Sequence, residues 1–138
     1  MLRQPKVLLF STDEAEMAQL QQILSEHVIL TPVDHQSKLN ALIEKHNYDA
    51  LFCAWSLQQG SWNDVVSEVR ESHPDLPVIV LSPAPDNREW DEVLQAGAFD
   101  LLVPPFEERS MLAVLEQASA SREAVASRYR EPHLNFGA

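Results

Sequence analysis

Residues 49–55 read Asp-Ala-Leu-Phe-Cys-Ala-Trp, an apolar run with a polar segment on either side. The run shows no alternation of apolar and polar residues and is too short for a helix, which predicts a strand covered on both faces. Such strands lie in the middle of parallel sheets, where ligands bind at the carboxyl ends of the strands. This strand ends in Cys53, Ala54 and Trp55. None of the three offers a hard metal ion an oxygen ligand, and Ala54 has no group for proton or phosphoryl transfer.

The chain has 138 residues, 45% of them hydrophobic, and a formal net charge of -11. This length and composition predict one domain that buries its own core. An acidic surface repels phosphates, so we expect no direct nucleic-acid partner. The one cysteine, Cys53, excludes an internal disulfide, and no apolar run in the sequence reaches the length of a membrane span. We therefore expect a soluble cytoplasmic protein with no membrane partner.

Strand and helix patterns alternate five times along the chain. Apolar runs at 6–10, 28–30, 49–55, 76–82 and 101–103 predict strands, and amphipathic segments after each of them predict helices. Short connections between such units predict parallel strands with right-handed crossovers, and therefore a three-layer α/β fold. Residues 1–118 are assigned to this domain, and residues 119–138 to a helix extension followed by a linker or tail.

Local signals predict where several helices begin and end. Asp13 with Glu16 three residues later, and Ser61 with Asp64, are typical of capping boxes at helix starts. Gly97 is placed to end the fourth helix. Because aspartate is a preferred N-cap residue, capping is favoured over metal binding as the role of Asp13.

Two strings resemble a known family. Residues 75–82 read Asp-Leu-Pro-Val-Ile-Val-Leu-Ser, and residues 96–106 read Ala-Gly-Ala-Phe-Asp-Leu-Leu-Val-Pro-Pro-Phe. Together with the order and spacing of the predicted elements, they resemble the receiver domain of bacterial two-component response regulators over about residues 5–118. The resemblance implies a flavodoxin-like fold with strand order 2-1-3-4-5. It also implies that the bond between Pro104 and Pro105 is cis.

The positions that carry receiver chemistry depart from the family pattern. The resemblance implies two acidic residues for magnesium after the first strand, a phosphate-accepting aspartate after the third strand and a lysine after the fifth. Those positions read Ser11 and Thr12, Ala54, and Pro104, while Ser82 matches the family's serine or threonine. Two hydroxyls cannot supply the charge of two carboxylates to magnesium, and an alanine cannot form an aspartyl phosphate. The sequence therefore predicts a pseudo-receiver that is not an enzyme, with no catalytic residue, metal or cofactor.

Other candidate groups fit structural roles better. Cys53 lies in an apolar strand, where a thiolate is disfavoured and a cysteine packs as a small hydrophobe. The five histidines show no metal-binding spacing, and residues 11–17 contain no glycine for a phosphate loop. Trp55, Trp62 and Trp90 either crowd the carboxyl-end crevice or are ordinary partly buried residues.

The last predicted helix carries a stripe with heptad-like spacing. Its positions alternate in steps of four and three residues: Met111, Leu115, Ala118, Arg122, Val125 and Tyr129. Because the sheet can cover only the first part of this helix, the extension predicts a homodimer seam or a helix leading to a following domain. A frayed tail is the alternative.

The resemblance also implies an interaction face made by the fourth helix, the fifth strand and the fifth helix. The residues placed on this predicted face are Trp90, Leu101, Val103, Met111, Leu115, Val125 and Tyr129. The acidic residues around Trp90 favour a solvated helix face over a docking surface, and Trp90 itself is the residue that keeps docking open.

Three functions remain open from the sequence. The leading one is a regulatory module of a response regulator that signals through protein interaction or oligomerisation and regulates an attached output domain. The second is a small-ligand sensor whose pocket is bordered by Ser11, Ala54, Ser82 and the tryptophans. The third is a conventional phosphorylated receiver that uses Ser56 or Asp49 as a substitute acceptor.

Overall fold

The computed structural model describes residues 4–58, 60–84 and 89–130, with side chains described as far as residue 122. The elements in chain order are β1 (Lys6–Phe10), α1 (Glu14–Leu24), β2 (Ile29–Val33), α2 (Gln36–Lys45), β3 (Ala50–Ala54), β4 (Ser56–Leu57), β5 (Gly60–Ser61), α3 (Trp62–Ser72), β6 (Val78–Leu81), α4 (Trp90–Ala96), β7 (Asp100–Leu102) and α5 (Glu108–Arg130). None of the described helices is both long and apolar enough to cross a membrane.

Five parallel strands form the main sheet in the order β2-β1-β3-β6-β7. Because β4 and β5 form a separate two-stranded hairpin, this arrangement is the predicted order 2-1-3-4-5. Pro32 lies in β2, at the edge of the sheet, where a residue without an N–H breaks no ladder on its outer side. The predicted strand order is therefore confirmed.

The central strand β3 is buried along its whole length. Leu51 and Cys53 pack into one core layer with the apolar sides of α2, α3 and α4. Ala50 and Phe52 pack into the other layer with α1 and α5. This alternation explains why β3 carries no charged or amide side chain, because each of its faces is covered by helices.

Helix ends follow the predicted signals in most places. Asp13 caps α1, its Oδ1 accepting from the N–H of Ala15 at 2.9 Å, and the Asp64 side chain accepts from the N–H of Ser61 at the start of α3. Gly97 ends α4 in the left-handed region with φ 114°, where a residue with a Cβ would be strained. The peptide bond between Pro104 and Pro105 is cis, as predicted.

The segment predicted as a polar loop after β3 differs from that expectation. Residues 56–57 and 60–61 pair as the antiparallel hairpin β4–β5. The two flanking tryptophans close it, since the Trp62 N–H donates to the Trp55 carbonyl at 3.2 Å and their ring centroids lie 5.5 Å apart. Each strand of this hairpin has two residues, which is too few for an alternation that would predict the pairing.

Candidate functional site

The candidate site lies where the carboxyl ends of β1, β3 and β6 meet. Phe10 pairs with Cys53, and Ala54 pairs with Leu81. Because the strands are parallel, this register places Ser11 beside Ala54 on one side and Ser82 beside it on the other. Ser11, Ala54 and Ser82 are all buried. The structure thus brings three of the predicted positions together, with Ala54 in the middle; we call this edge the carboxyl-end crevice.

Both buried hydroxyls of the crevice are engaged with neighbouring groups of the same chain. Ser11 Oγ donates to Glu16 Oε1 at 2.8 Å and accepts from the Asp13 N–H at 3.1 Å. Ser82 Oγ donates to the Ala84 carbonyl at 3.0 Å and accepts from the Ala84 N–H at 3.1 Å. A hydroxyl held in this way has its donor and one of its two lone pairs committed to internal hydrogen bonds.

The hydrogen-bond partner predicted for Glu16 is wrong. The capping pattern predicted that its carboxylate would return to the Asp13 N–H, but Ser11 Oγ takes that N–H and Glu16 bonds to the hydroxyl instead. Burial raises the pKa of Glu16, the Ser11 hydrogen bond works against this, and the negative charge of Asp13 adds to the rise. Ser11, two residues before the N-cap, is the sequence feature that could have indicated this arrangement, because a serine hydroxyl can bond both to the Asp13 N–H and to the Glu16 carboxylate.

Cys53 is fully buried one residue before Ala54, in the core layer with α2, α3 and α4. Burial raises the pKa of its thiol, and the charge of Glu16 raises it further. A thiol held in its neutral form is a poor nucleophile. The prediction that Cys53 packs as a core residue is confirmed.

The donor set at this edge does not fit a magnesium ion. Within the described ranges, no three His, Cys, Asp or Glu side chains lie close enough together to hold a metal. The carboxylate of Asp13 accepts from two helix N–H groups, and that of Glu16 accepts from Ser11. Magnesium needs near-octahedral oxygen ligands and usually one or two carboxylates among them.

The two substitute acceptors considered from the sequence lie elsewhere. Asp49 precedes β3, and its Oδ2 accepts from the Lys6 N–H at 2.8 Å, so it is buried at the amino-end edge of the sheet. Ser56 is exposed in the hairpin, where it pairs with Ser61. Neither residue occupies the position beside Ser11 and Ser82.

A small cavity opens at the carboxyl ends near β1. It holds about 50 Å³ and is lined by Phe10, Thr12, Leu57 and polar neighbours. Sites for drug-sized ligands hold about 300–1,000 Å³. Leu57 and Trp55 pack against the core here, so the hairpin fills space that a ligand would need. This cavity gives the ligand-sensor hypothesis no support.

The predicted interaction face divides into exposed and buried residues. Trp90, Leu94 and Val103 are exposed, with 53% of Trp90 accessible, and Trp90 Nε1 donates to Asp100 Oδ1 at 3.2 Å. We call these three residues the apolar patch. Trp90 therefore lies towards β7 and not in the crevice with Trp55 and Trp62.

Three residues predicted on that face are part of the core, which corrects the prediction. Leu101, Met111 and Leu115 are 7%, 0% and 3% exposed. The heptad-like stripe begins with the side chains that α5 packs against the sheet, so its first positions cannot also form an intermolecular seam. The side chains of Val125 and Tyr129 lie outside the described residues.

Pro104 follows β7 at the position where the resemblance implies a lysine. It has no amine that could neutralise a phosphoryl group. Of the predicted site positions, Ser82 alone carries the group that the resemblance implies.

Comparisons with known proteins agree with the fold. A family model described as a response regulator receiver domain matches residues 7–116. The transcriptional regulatory protein KdpE of Staphylococcus aureus is 26% identical over 124 residues, a match that covers 87% of this chain and 53% of that protein. The chain thus spans about half the length of this relative.

Solved structures show the same architecture. The signal receiver domain of an HD domain-containing protein from Pseudomonas fluorescens Pf-5 superimposes with a TM-score of 0.78 at 21% identity, covering 93% of this chain and 96% of that one. NtrX from Brucella abortus superimposes with a TM-score of 0.80 at 20% identity, covering 93% of this chain and 29% of that one.

Proposed function

This chain belongs to the response regulator receiver family of two-component signalling, and we propose that it acts there as a pseudo-receiver that signals without aspartate phosphorylation. Receiver domains are generally non-enzymatic signalling domains, and we propose no catalytic residue, metal or cofactor for this one. Its output is carried by protein interaction or oligomerisation, and it regulates an attached output domain.

The observation that carries this proposal is Ala54. It ends the central strand of the sheet, lies between Ser11 and Ser82, and is 4% exposed. Phosphoryl transfer to a receiver needs a carboxylate nucleophile at this place, and a methyl group cannot attack phosphorus. The nearest carboxylate with a described bond into the crevice, Glu16, is engaged by Ser11.

Two surfaces support a role in protein interaction. The apolar patch of Trp90, Leu94 and Val103 groups three of the exposed large hydrophobic side chains among the described residues. Tryptophan is enriched among residues that contribute most to binding at interfaces. Helix α5 runs to Arg130, about 18 Å beyond Ala118, the last residue of its buried stripe, at 1.5 Å per residue. A helix that extends past its domain is suited to pairing with a second copy or to reaching a following domain.

The lengths of the relatives support an attached output domain. The match covers 53% of KdpE and 29% of NtrX, so in both proteins the corresponding part is joined to further chain. We propose the same organisation for this protein, with α5 as the connection.

A phosphorylation assay tests the proposal. The protein is incubated with Mg²⁺ and acetyl phosphate and its intact mass is measured at once at neutral pH, beside a conventional receiver domain as positive control. We expect the control to gain phosphoryl mass and this chain to keep its unmodified mass. Stoichiometric phosphate on this chain would overturn the proposal, and Asp49→Asn and Ser56→Ala variants would then identify the acceptor.

Sedimentation tests the interaction route. The full chain is compared with a version ending after Arg122, which keeps the contact between Arg122 and Asp75. We expect self-association in the full chain that the shortened chain lacks. Equal monomeric masses for both would remove α5 as a dimer seam and leave its role as a connecting helix.

A further inference from the structure

A cavity of about 490 Å³ opens at the edge of the sheet opposite the carboxyl-end crevice. It lies between the end of α3, the start of β6, the turn from α4 to β7, and α5. The residues that line it include Arg70, Asp75, Gly97, Phe99, Ser121 and Arg122. We call it the amino-end cavity.

Its charge is opposite to that of the protein as a whole. The chain carries 10 Lys and Arg against 21 Asp and Glu, yet the lining holds two arginines against one acidic residue, Asp75. Guanidinium groups stay charged at any physiological pH, so this local excess of positive charge is permanent. In an acidic protein, such a cavity favours an anion.

The donors of both arginines are incompletely used. Nε of Arg122 is buried and has no hydrogen-bond partner among the described residues, although the side chain as a whole is 19% exposed. Its Nη2 lies 3.9 Å from Asp75 Oδ2, too far for a good hydrogen bond. Arg70 forms no ion pair with any described residue. A buried donor left without a partner costs free energy that a ligand's oxygen can recover.

Gly97 makes room for this arrangement. The Arg70 side chain passes over Gly97 through the space that a Cβ would occupy. Gly97 also has the positive φ that ends α4. One glycine therefore both turns the chain and lets the Arg70 side chain lie against the cavity wall.

We propose that the amino-end cavity binds a small organic phosphate, a phosphate monoester of sugar or nucleotide size, with Arg70 and Arg122 as the phosphate ligands. The volume falls in the range of about 300–1,000 Å³ typical of small-molecule sites. Arginine forks bind phosphate oxygens with two parallel hydrogen bonds. Ser121 supplies a hydroxyl for the organic part, while the Asp75 carboxylate competes with the phosphate for Arg122.

The site also bears on α5. Arg122 is the last residue of this helix whose side chain is described, and the helix continues to Arg130. A ligand bridging Arg122 to Arg70 on α3 would fix the direction in which the helix leaves the domain. The site lies at the edge opposite Ala54, so it stands whether or not the crevice has lost phosphorylation.

An NMR titration tests the proposal. Glucose 6-phosphate and adenosine monophosphate are added to the ¹⁵N-labelled full chain, with glucose and adenosine as uncharged controls. The amide signal of Gly97, inside the cavity, is compared with that of Gly60 in the hairpin. We expect saturable shifts of Gly97 with at least one of the phosphates, no shift of Gly60, and no effect of either uncharged control.

Variants distinguish a specific binding site from general electrostatic attraction of the phosphate. R70Q and R122Q should each weaken binding by about tenfold or more, because each loses charge-assisted hydrogen bonds. D75N should strengthen binding, because it removes the carboxylate that competes for Arg122. R109Q, which removes an exposed charge at the start of α5, should leave binding unchanged.

The spectrum of each variant shows directly whether it is folded. Shifts that do not saturate at millimolar phosphate ester would overturn the proposal, as would equal affinities of R70Q, R122Q and R109Q. Weaker phosphate binding in D75N would also count against the proposal. That result would mean that Asp75 supports the cavity wall and does not compete with the anion for Arg122.

Discussion

Replacing Ser11 with alanine tests whether the crevice is closed by its own hydrogen bonds. The substitution removes a bond from a buried hydroxyl to the Glu16 carboxylate at 2.8 Å and the acceptor of the Asp13 N–H at 3.1 Å. A hydrogen bond to a charged group contributes about 1.5–3 kcal/mol, while the Asp13 N–H lies near the surface and can turn to water. We therefore expect Ser11→Ala to lower the free energy of unfolding by about 2 kcal/mol.

The assay is urea unfolding at neutral pH, followed by tryptophan fluorescence. With a urea dependence of about 2 kcal/mol/M, the midpoint of Ser11→Ala should fall by about 1 M. Ser67→Ala, at an exposed position of α3, is the matched control and should stay within about 0.5 kcal/mol of the unaltered protein. A cycle of Ser11→Ala, Glu16→Ala and the double variant should show a coupling of about 1–2 kcal/mol.

The effect of Ser11→Ala on stability should also depend on pH. When Glu16 is protonated it no longer offers Ser11 a charged acceptor, so the penalty of Ser11→Ala should shrink at acid pH. A penalty no larger than that of Ser67→Ala, or a coupling near zero, would refute the account of a crevice whose hydroxyls are internally satisfied.

Substitutions at Glu16, Trp90 and Gly97 test three other features of the structure. Burial raises the pKa of Glu16 above its ordinary 4.5. The contribution of protonated Glu16 to the free energy of unfolding is therefore complete below pH 4.5 and is lost as the pH rises through the raised pKa. Glu16→Gln should therefore gain stability relative to the unaltered protein in neutral urea titrations and lose that advantage in acid ones; an unchanged difference would contradict the shift. Trp90→Ala should weaken self-association or partner binding in sedimentation by about tenfold or more while changing stability little, and equal association would exclude the apolar patch. Gly97→Ala should cost about 1–3 kcal/mol in urea unfolding, because of its φ of 114° and the Arg70 side chain in the way of a Cβ; a neutral result would contradict the described turn.

The central place of β3 could be predicted because burial on both faces leaves a clear mark in the sequence, whereas the full strand order was implied by the resemblance to receiver domains. The residues of β3, Ala50–Ala54, are all apolar, and Pro32 marks the edge strand. The turn residues also act locally: Gly97 ends α4 because few other residues accept its backbone conformation.

Two of the wrong predictions have the same physical cause, since each depends on which of two partners a side chain contacts in three dimensions. The predicted partner of Glu16 was the Asp13 N–H, but the Ser11 hydroxyl bonds to both of these groups. Met111 and Leu115 fit a heptad seam and a core stripe equally well by spacing, and only the position of the sheet decides for the core. The amino-end cavity could not be predicted, because Arg70 and Arg122 are far apart in sequence and meet through the packing of α3 against the turn at Gly97.

The most direct test of the central claim is a titration of the ¹⁵N-labelled protein with Mn²⁺, a paramagnetic stand-in for magnesium. It reports whether the carboxyl-end crevice holds the divalent ion without which receiver phosphorylation does not proceed. We predict that the amide signals of Thr12 and Trp55 broaden no more at substoichiometric Mn²⁺ than that of Gly97 at the opposite edge. Selective loss of the Thr12 and Trp55 signals would contradict the account and restore a conventional ion site to this domain.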